Sequence, residues 1–91
     1  MRLSIAVKTE IAAFLKLNWL DLQEDAQEYD GLEITFAVND DGSAWAYQTG
    51  DNSFTGACYS LPWWAVSTIV YGNDVRDVID EIIEQLEDYL W

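Results

Sequence analysis

Apolar residues recur with a helical period over residues 73–91. At 100° per residue, Val75, Val78, Ile79, Ile82, Ile83, Leu86, Tyr89 and Leu90 share an arc of roughly 140°. Asp74, Asp77, Asp80, Glu81, Glu84, Glu87 and Asp88 share an opposite arc of roughly 140°. Only Trp91, at the end, falls on the acidic side. This pattern predicts an amphipathic helix capped by Asn73 or Asp74. Its apolar face must be buried, because such a helix is marginal alone in water. Asp74 and Asp77 suit the positive end of the helix dipole. Glu84, Glu87 and Asp88 lie at the end the dipole disfavours, so helix stability does not explain them.

A second helical pattern covers residues 4–22. Ser4 is the expected N-cap, with Thr9 a later alternative. Val7, Ile11, Phe14, Leu15, Trp19 and Leu22 share one face, while Leu17 and Leu20 fall off it, either as surface apolars, the ordinary case, or as part of a contact with a partner chain. Six acids follow in residues 21–33: Asp21, Glu24, Asp25, Glu28, Asp30 and Glu33. The helix is expected to fray among them and to end before Asp30-Gly31.

The period then changes to two. Leu32, Ile34, Phe36 and Val38 alternate with Glu33, Thr35 and Ala37, which predicts a half-buried strand. Asn39-Asp40-Asp41-Gly42 follows as a hairpin turn. If Asn39 lies opposite Ser43, Val38 faces Ala44 and Phe36 faces Ala46. Trp45 and Tyr47 then fall on the other, solvent-facing side beside Thr35 and Glu33. A turn at residues 49–53 leads to a third strand, Phe54 to Leu61, weakened by Gly56. Pro62 marks a bend or an edge. Trp63 to Tyr71 reads as a fourth strand that sends Trp63 and Trp64 to opposite faces. The order helix, strands, helix predicts an α+β two-layer sandwich, α-β-β-β(-β)-α, in one domain over residues 1–91. Its sheet is expected to be an antiparallel meander with both helices on one face.

Charge narrows the functions open to such a fold. There are 17 acids against four bases, Arg2, Lys8, Lys16 and Arg76, for a net charge of −13. That balance argues against direct binding to nucleic acid or to an anionic membrane, and favours a basic protein partner. With 51% hydrophobic residues the chain is too apolar for a disordered acidic tail. Cys58 is the only cysteine, so no internal disulfide forms. No apolar run reaches the length of a membrane span, and Lys8 and Glu10 interrupt any signal-peptide core. A soluble, cytoplasmic protein is expected. Histidine is absent, which excludes a histidine-based triad or a histidine-ligated metal. Carboxylate pairs such as Asp80 and Glu84 have nothing to desolvate them on an exposed helix face. Asn39-Asp40-Asp41-Gly42 lacks the alternation and terminal glutamate of a calcium loop. No enzyme activity, cofactor or metal is expected.

The acidic face serves either solubility or docking. Asp74 to Asp88 spans about 21 Å of helix, or about one carboxylate per 3.5 Å. A single DNA strand carries a phosphate every ~3.4 Å. In size, acid load and element order, the chain resembles the small acidic proteins that phages use against host defences. These are the anti-CRISPR and anti-restriction DNA mimics, and the acids of residues 21–33 and 74–88 carry the likeness. It implies an inhibitor that occupies a basic DNA or guide-RNA channel, such as that of a CRISPR effector in the host cytoplasm. The expected contacts are Asp77, Asp80, Glu81, Glu84, Glu87 and Asp88, extended by Glu24, Asp25 and Glu28. The alternative is a small interaction domain, or a homodimer, that uses Trp45, Tyr47 and one of Trp63 or Trp64 on the sheet face.

Overall fold

The computed structural model describes residues 3–56 and 63–90, and of Trp63 the backbone alone. Helix α1 spans Ile5–Glu28. Ser4 caps it: the Ser4 hydroxyl oxygen accepts from the Val7 N–H at 3.1 Å. The helix does not fray among the acids. It continues past Leu22 because Ala26, one turn on, is fully buried and keeps the segment against the core. Asp30, in the left-handed region at φ 57°, then turns the chain, and the Gly31 N–H donates to the Ala26 carbonyl at 2.7 Å.

Four strands follow: β1 (Leu32–Asn39), β2 (Trp45–Thr49), β3 (Thr55–Gly56) and β4 (Trp63–Val70). Residues 57–62, which include most of the expected third strand and Pro62, lie outside the described residues. All pairings are antiparallel, and the spatial order is β3-β2-β1-β4. The simple meander therefore holds only for the first three strands. The fourth returns beside the first, the order of a Greek key. Burial accounts for β1's central place: Ile34, Phe36, Ala37 and Val38 are all fully buried, which suits a strand with neighbours on both edges.

The hairpin register differs by one residue from the sequence expectation. Asn39 lies opposite Ala44, to whose carbonyl its N–H donates at 3.1 Å. Val38 thus pairs with Trp45 and Phe36 with Tyr47. The loop is held at this length by local bonds. Asp41 Oδ1 accepts from the Ser43 N–H at 3.0 Å, and the Gly42 N–H donates to the Asn39 carbonyl at 3.0 Å. The Gly42 carbonyl in turn accepts from the Ser4 N–H at 3.3 Å, tying the hairpin tip to the start of α1. A shift of one residue moves every side chain of β2 to the other face. Trp45 and Tyr47 therefore lie on the helix side, not the solvent side. Phe14 of α1 packs against Tyr47 with ring centroids 4.2 Å apart, and meets Trp45 at 5.9 Å and Phe36 at 6.1 Å.

Helix α2 spans Val75–Leu90. It covers β4 and runs back along it: Glu81 lies beside Thr68, and further on Tyr89 stacks on Trp64 at 5.3 Å. Four residues of strand and eight of helix separate these contacts, about 13 Å and about 12 Å respectively. Both helices thus share one face of the sheet. Ile11 and Leu15 of α1, Ile34 and Phe36 of β1, and Ile82 and Leu86 of α2 sit fully buried between the layers. On the other face, Ala65, Ala37, Ala46 and Gly56 form a row across the four strands. Gly56, at φ 139°, is required there. A Cβ on it would lie 2.5 Å from the Trp45 carbonyl oxygen and 2.6 Å from Ala46 Cα.

Two outcomes are expected in urea unfolding. Ile82→Ala should lower stability by about 2–5 kcal/mol, whereas Leu17→Ala, at a position 83% exposed, should change it by less than about 0.5 kcal/mol. Gly56→Ala should free β3 from β2, seen as faster amide exchange at Tyr47, while Ala46 and Gln48, which face β1, stay protected.

Candidate functional site

The N-terminus of α2 is built by Asp74, whose Oδ1 accepts from the Arg76 N–H at 2.8 Å. Five apolar side chains, Val78, Ile79, Ile82, Leu86 and Leu90, are then buried. Their burial sets the rotation of the helix. Asp77, Asp80, Glu81, Glu84 and Asp88 come out exposed, and with Gln85 they line one shallow, open groove of about 370 Å³. Gln85 was not singled out from the sequence, although its spacing of four from Glu81 is a signal for contact. Its amide donates to Glu81 Oε1 at 3.1 Å and holds that carboxylate in place.

Glu87 is different. It lies on the flank of α2 that faces α1 and pairs with Lys8 Nζ at 3.1 Å. It is a tie between helices rather than a member of the open groove. No other ion pair joins the described residues, so the groove carboxylates have no cationic partner among them.

The second acid cluster is separate. Glu24, Asp25 and Glu28 are exposed on the last turns of α1. Asp25 lines another groove, of about 430 Å³, with Tyr29, Glu33 and Asp51 among its walls. No residue is common to the two grooves. Gln23 ties α1 to the turn before α2, its side-chain amide oxygen accepting from the Gly72 N–H at 2.8 Å.

The aromatic candidates are mostly absorbed by packing. Trp45 and Tyr47 are half-buried, and Trp45 Nε1 donates to Glu10 Oε1 at 2.8 Å. They edge a small hollow with Glu10, Ser43 and Thr55, beside α1 rather than on the bare sheet face. Trp64 lies on the helix side, 38% exposed, stacked on Tyr89, which is 50% exposed. The Trp63 side chain lies outside the described residues.

At the hairpin tip, the Ser43 hydroxyl, helped by the Ser43 N–H, holds the Asp41 carboxyl below its ordinary 3.8. This residue belongs to neither acidic groove. Among the described residues, no group of three or more histidine, cysteine or acidic side chains is placed to hold a metal ion. Nor is any helix among them long and apolar enough to cross a membrane. Comparison with protein-family models, with curated proteins and with solved structures finds no match.

The Asp41 contact has a definite pH signature. Its native pKa lies below the unfolded value, so the contact is fully formed above 3.8 and is lost as pH falls through the native value. In an NMR titration the Asp41 carboxyl should show a depressed midpoint, and Ser43→Ala should move it upward.

Proposed function

We propose that the protein is an inhibitory binding protein whose α2 carboxylates occupy a basic nucleic-acid-binding site on a partner. The observation that carries this reading is the set of five exposed acids on one helix face, none of them in an ion pair with a cation among the described residues. From Asp77 to Asp88 they extend over about 16 Å, or about one charge per 4 Å, near the ~3.4 Å phosphate spacing of a DNA strand. The rigid helix beneath them holds the carboxylates in place, so little ordering entropy is lost when cationic side chains meet them. The likeness to anti-CRISPR and anti-restriction DNA mimics points to a nucleic-acid-handling defence complex as the partner, with a CRISPR effector the leading case. Glu24, Asp25 and Glu28 then form a second, separate contact rather than an extension of the first. The competing reading, association through Trp45 and Tyr47, loses its support because both rings pack against Phe14 under α1.

Capture from host lysate tests this. The wild-type chain should retain nucleic-acid-binding proteins that duplex DNA displaces. The triple variant Asp77→Lys, Asp80→Lys, Glu84→Lys should weaken capture by at least about tenfold, and high salt should do the same. Tight capture that ignores both the charge reversal and the salt would overturn the proposal.

A further inference from the structure

Glu81, on one side of the acidic groove, lies beside a sheet edge left unpaired among the described residues. β4 is the last strand on its side of the sheet. Which of its backbone groups point outward follows from the hydrogen bonds. The Glu33 carbonyl accepts from the Gly50 N–H, and the Asn39 N–H donates to Ala44, so this alternate set of β1 groups faces β2. Their partners on β4, Ile69, Ser67, Ala65 and Trp63, therefore make no ladder bonds to β1 and turn theirs outward. The close approach of the Thr35 and Ser67 hydroxyls, 2.7 Å, is that of such a non-bonded pair. At one end the outward positions are already used. Asn73 Nδ2 donates to the Ile69 carbonyl at 3.1 Å, and Asn73 Oδ1 accepts from the Tyr71 N–H at 3.1 Å. One side-chain amide thus satisfies the edge as a neighbouring strand would. Beyond it, Ser67, Ala65 and the Trp63 backbone have no such partner among the described residues.

The helix layer decides what fits there. α2 packs chiefly on β4, and Glu87 marks its flank toward α1, so the opposite flank, with Glu81 beside Thr68, lies toward the free edge of β4. Glu81, within 3.5 Å of Thr68, and Tyr89, stacked on Trp64, mark that flank, with Gln85 between them and Asp88 beside them. Alternate residues of an added strand lie about 6.8 Å apart. Helix positions four apart, such as Glu81, Gln85 and Tyr89, lie about 6 Å apart. A strand on this edge would turn every second side chain toward that row.

We infer that the free edge of β4 takes up an extended segment of a partner protein as a fifth strand, with lysine or arginine at alternate positions facing Glu81 and Asp88. The inference rests on the proposed acidic docking function and adds its mode of contact. Main-chain bonds to Trp63, Ala65 and Ser67 supply register, and the carboxylates select a basic sequence. The partly exposed Trp64 and Tyr89 rings offer a surface to the stem and charge of one such side chain. A second copy of this chain fits poorly. Antiparallel pairing of two β4 edges would set the acidic flanks side by side, between molecules that each carry −13.

Two probe peptides of equal length and charge test the inference on the whole protein, one alternating Lys with Thr and one alternating Lys with Pro. The Lys-Thr peptide can complete a strand ladder, whereas the Lys-Pro peptide has lost half its donors. In NMR titrations the Lys-Thr peptide should bind roughly tenfold more tightly and should slow amide exchange at Ala65 and Ser67. A variant carrying Glu81→Gln and Asp88→Asn should lose affinity for both. Equal binding of the two peptides, abolished in that variant, would overturn strand addition and leave the acidic docking function standing. Binding of neither peptide at low salt would also overturn it. Protection of Ala65 and Ser67 that grows with protein concentration, without peptide, would assign the edge to a second copy and overturn the basic-strand occupant.

Discussion

The apolar stripe of α2 must lie against β4 and α1, and the rest of the molecule follows from that. Burying Val78, Ile79, Ile82, Leu86 and Leu90 contributes on the order of 10 kcal/mol before entropy is counted, comparable with the whole net stability of a small domain. Rolling the helix by one residue would bring carboxylates into the core, at several kcal/mol for each ion buried. The direction of the acids is therefore a consequence of the core. A partner does not have to be present for the groove to exist, and this is what makes the groove rigid enough to be useful.

The charge balance bears on the same point. With 17 acids and four bases, internal pairing can neutralise only a small share of the carboxylates. The one ion pair among the described residues, Lys8 with Glu87, lies between the helices and is partly exposed, so its contribution is small. Cohesion comes from the apolar layer and from the ring cluster of Phe14, Phe36, Trp45 and Tyr47. Self-repulsion is distributed over surfaces that the core has already oriented.

Periodicity made both helices, the first strand and the two-layer arrangement legible, because each is a local pattern read against one buried face. Ser4 and Asp74 were legible as caps for the same reason, since the chemistry is confined to a few neighbouring residues. The hairpin register was not. It turns on whether the loop holds one residue more, and that is decided by Asp41 bonding to Ser43 and by Gly42 meeting Ser4 across the molecule. The error carried Trp45 and Tyr47 to the wrong face. The place of β4 beside β1 was hidden as well, because strand alternation says which face is buried but not which strand is the neighbour. Within the candidate site, the row of acids could be read from a helical wheel. The withdrawal of Glu87 toward Lys8 and the separation of Asp25 from the α2 groove depend on how the helices pack, which no single-element pattern contains.

The strand order also governs how the chain completes itself as it leaves a ribosome. The β1–β2 hairpin can close as soon as Thr49 has emerged, but Leu32 finds its second neighbour only when Val70 arrives. Until then the innermost strand of the sheet has one raw margin and no second helix above it. Synthesis of residues 63–90 therefore both closes that margin, through β4, and supplies the anionic surface, through α2, so a chain stopped before residue 63 would lack the two together.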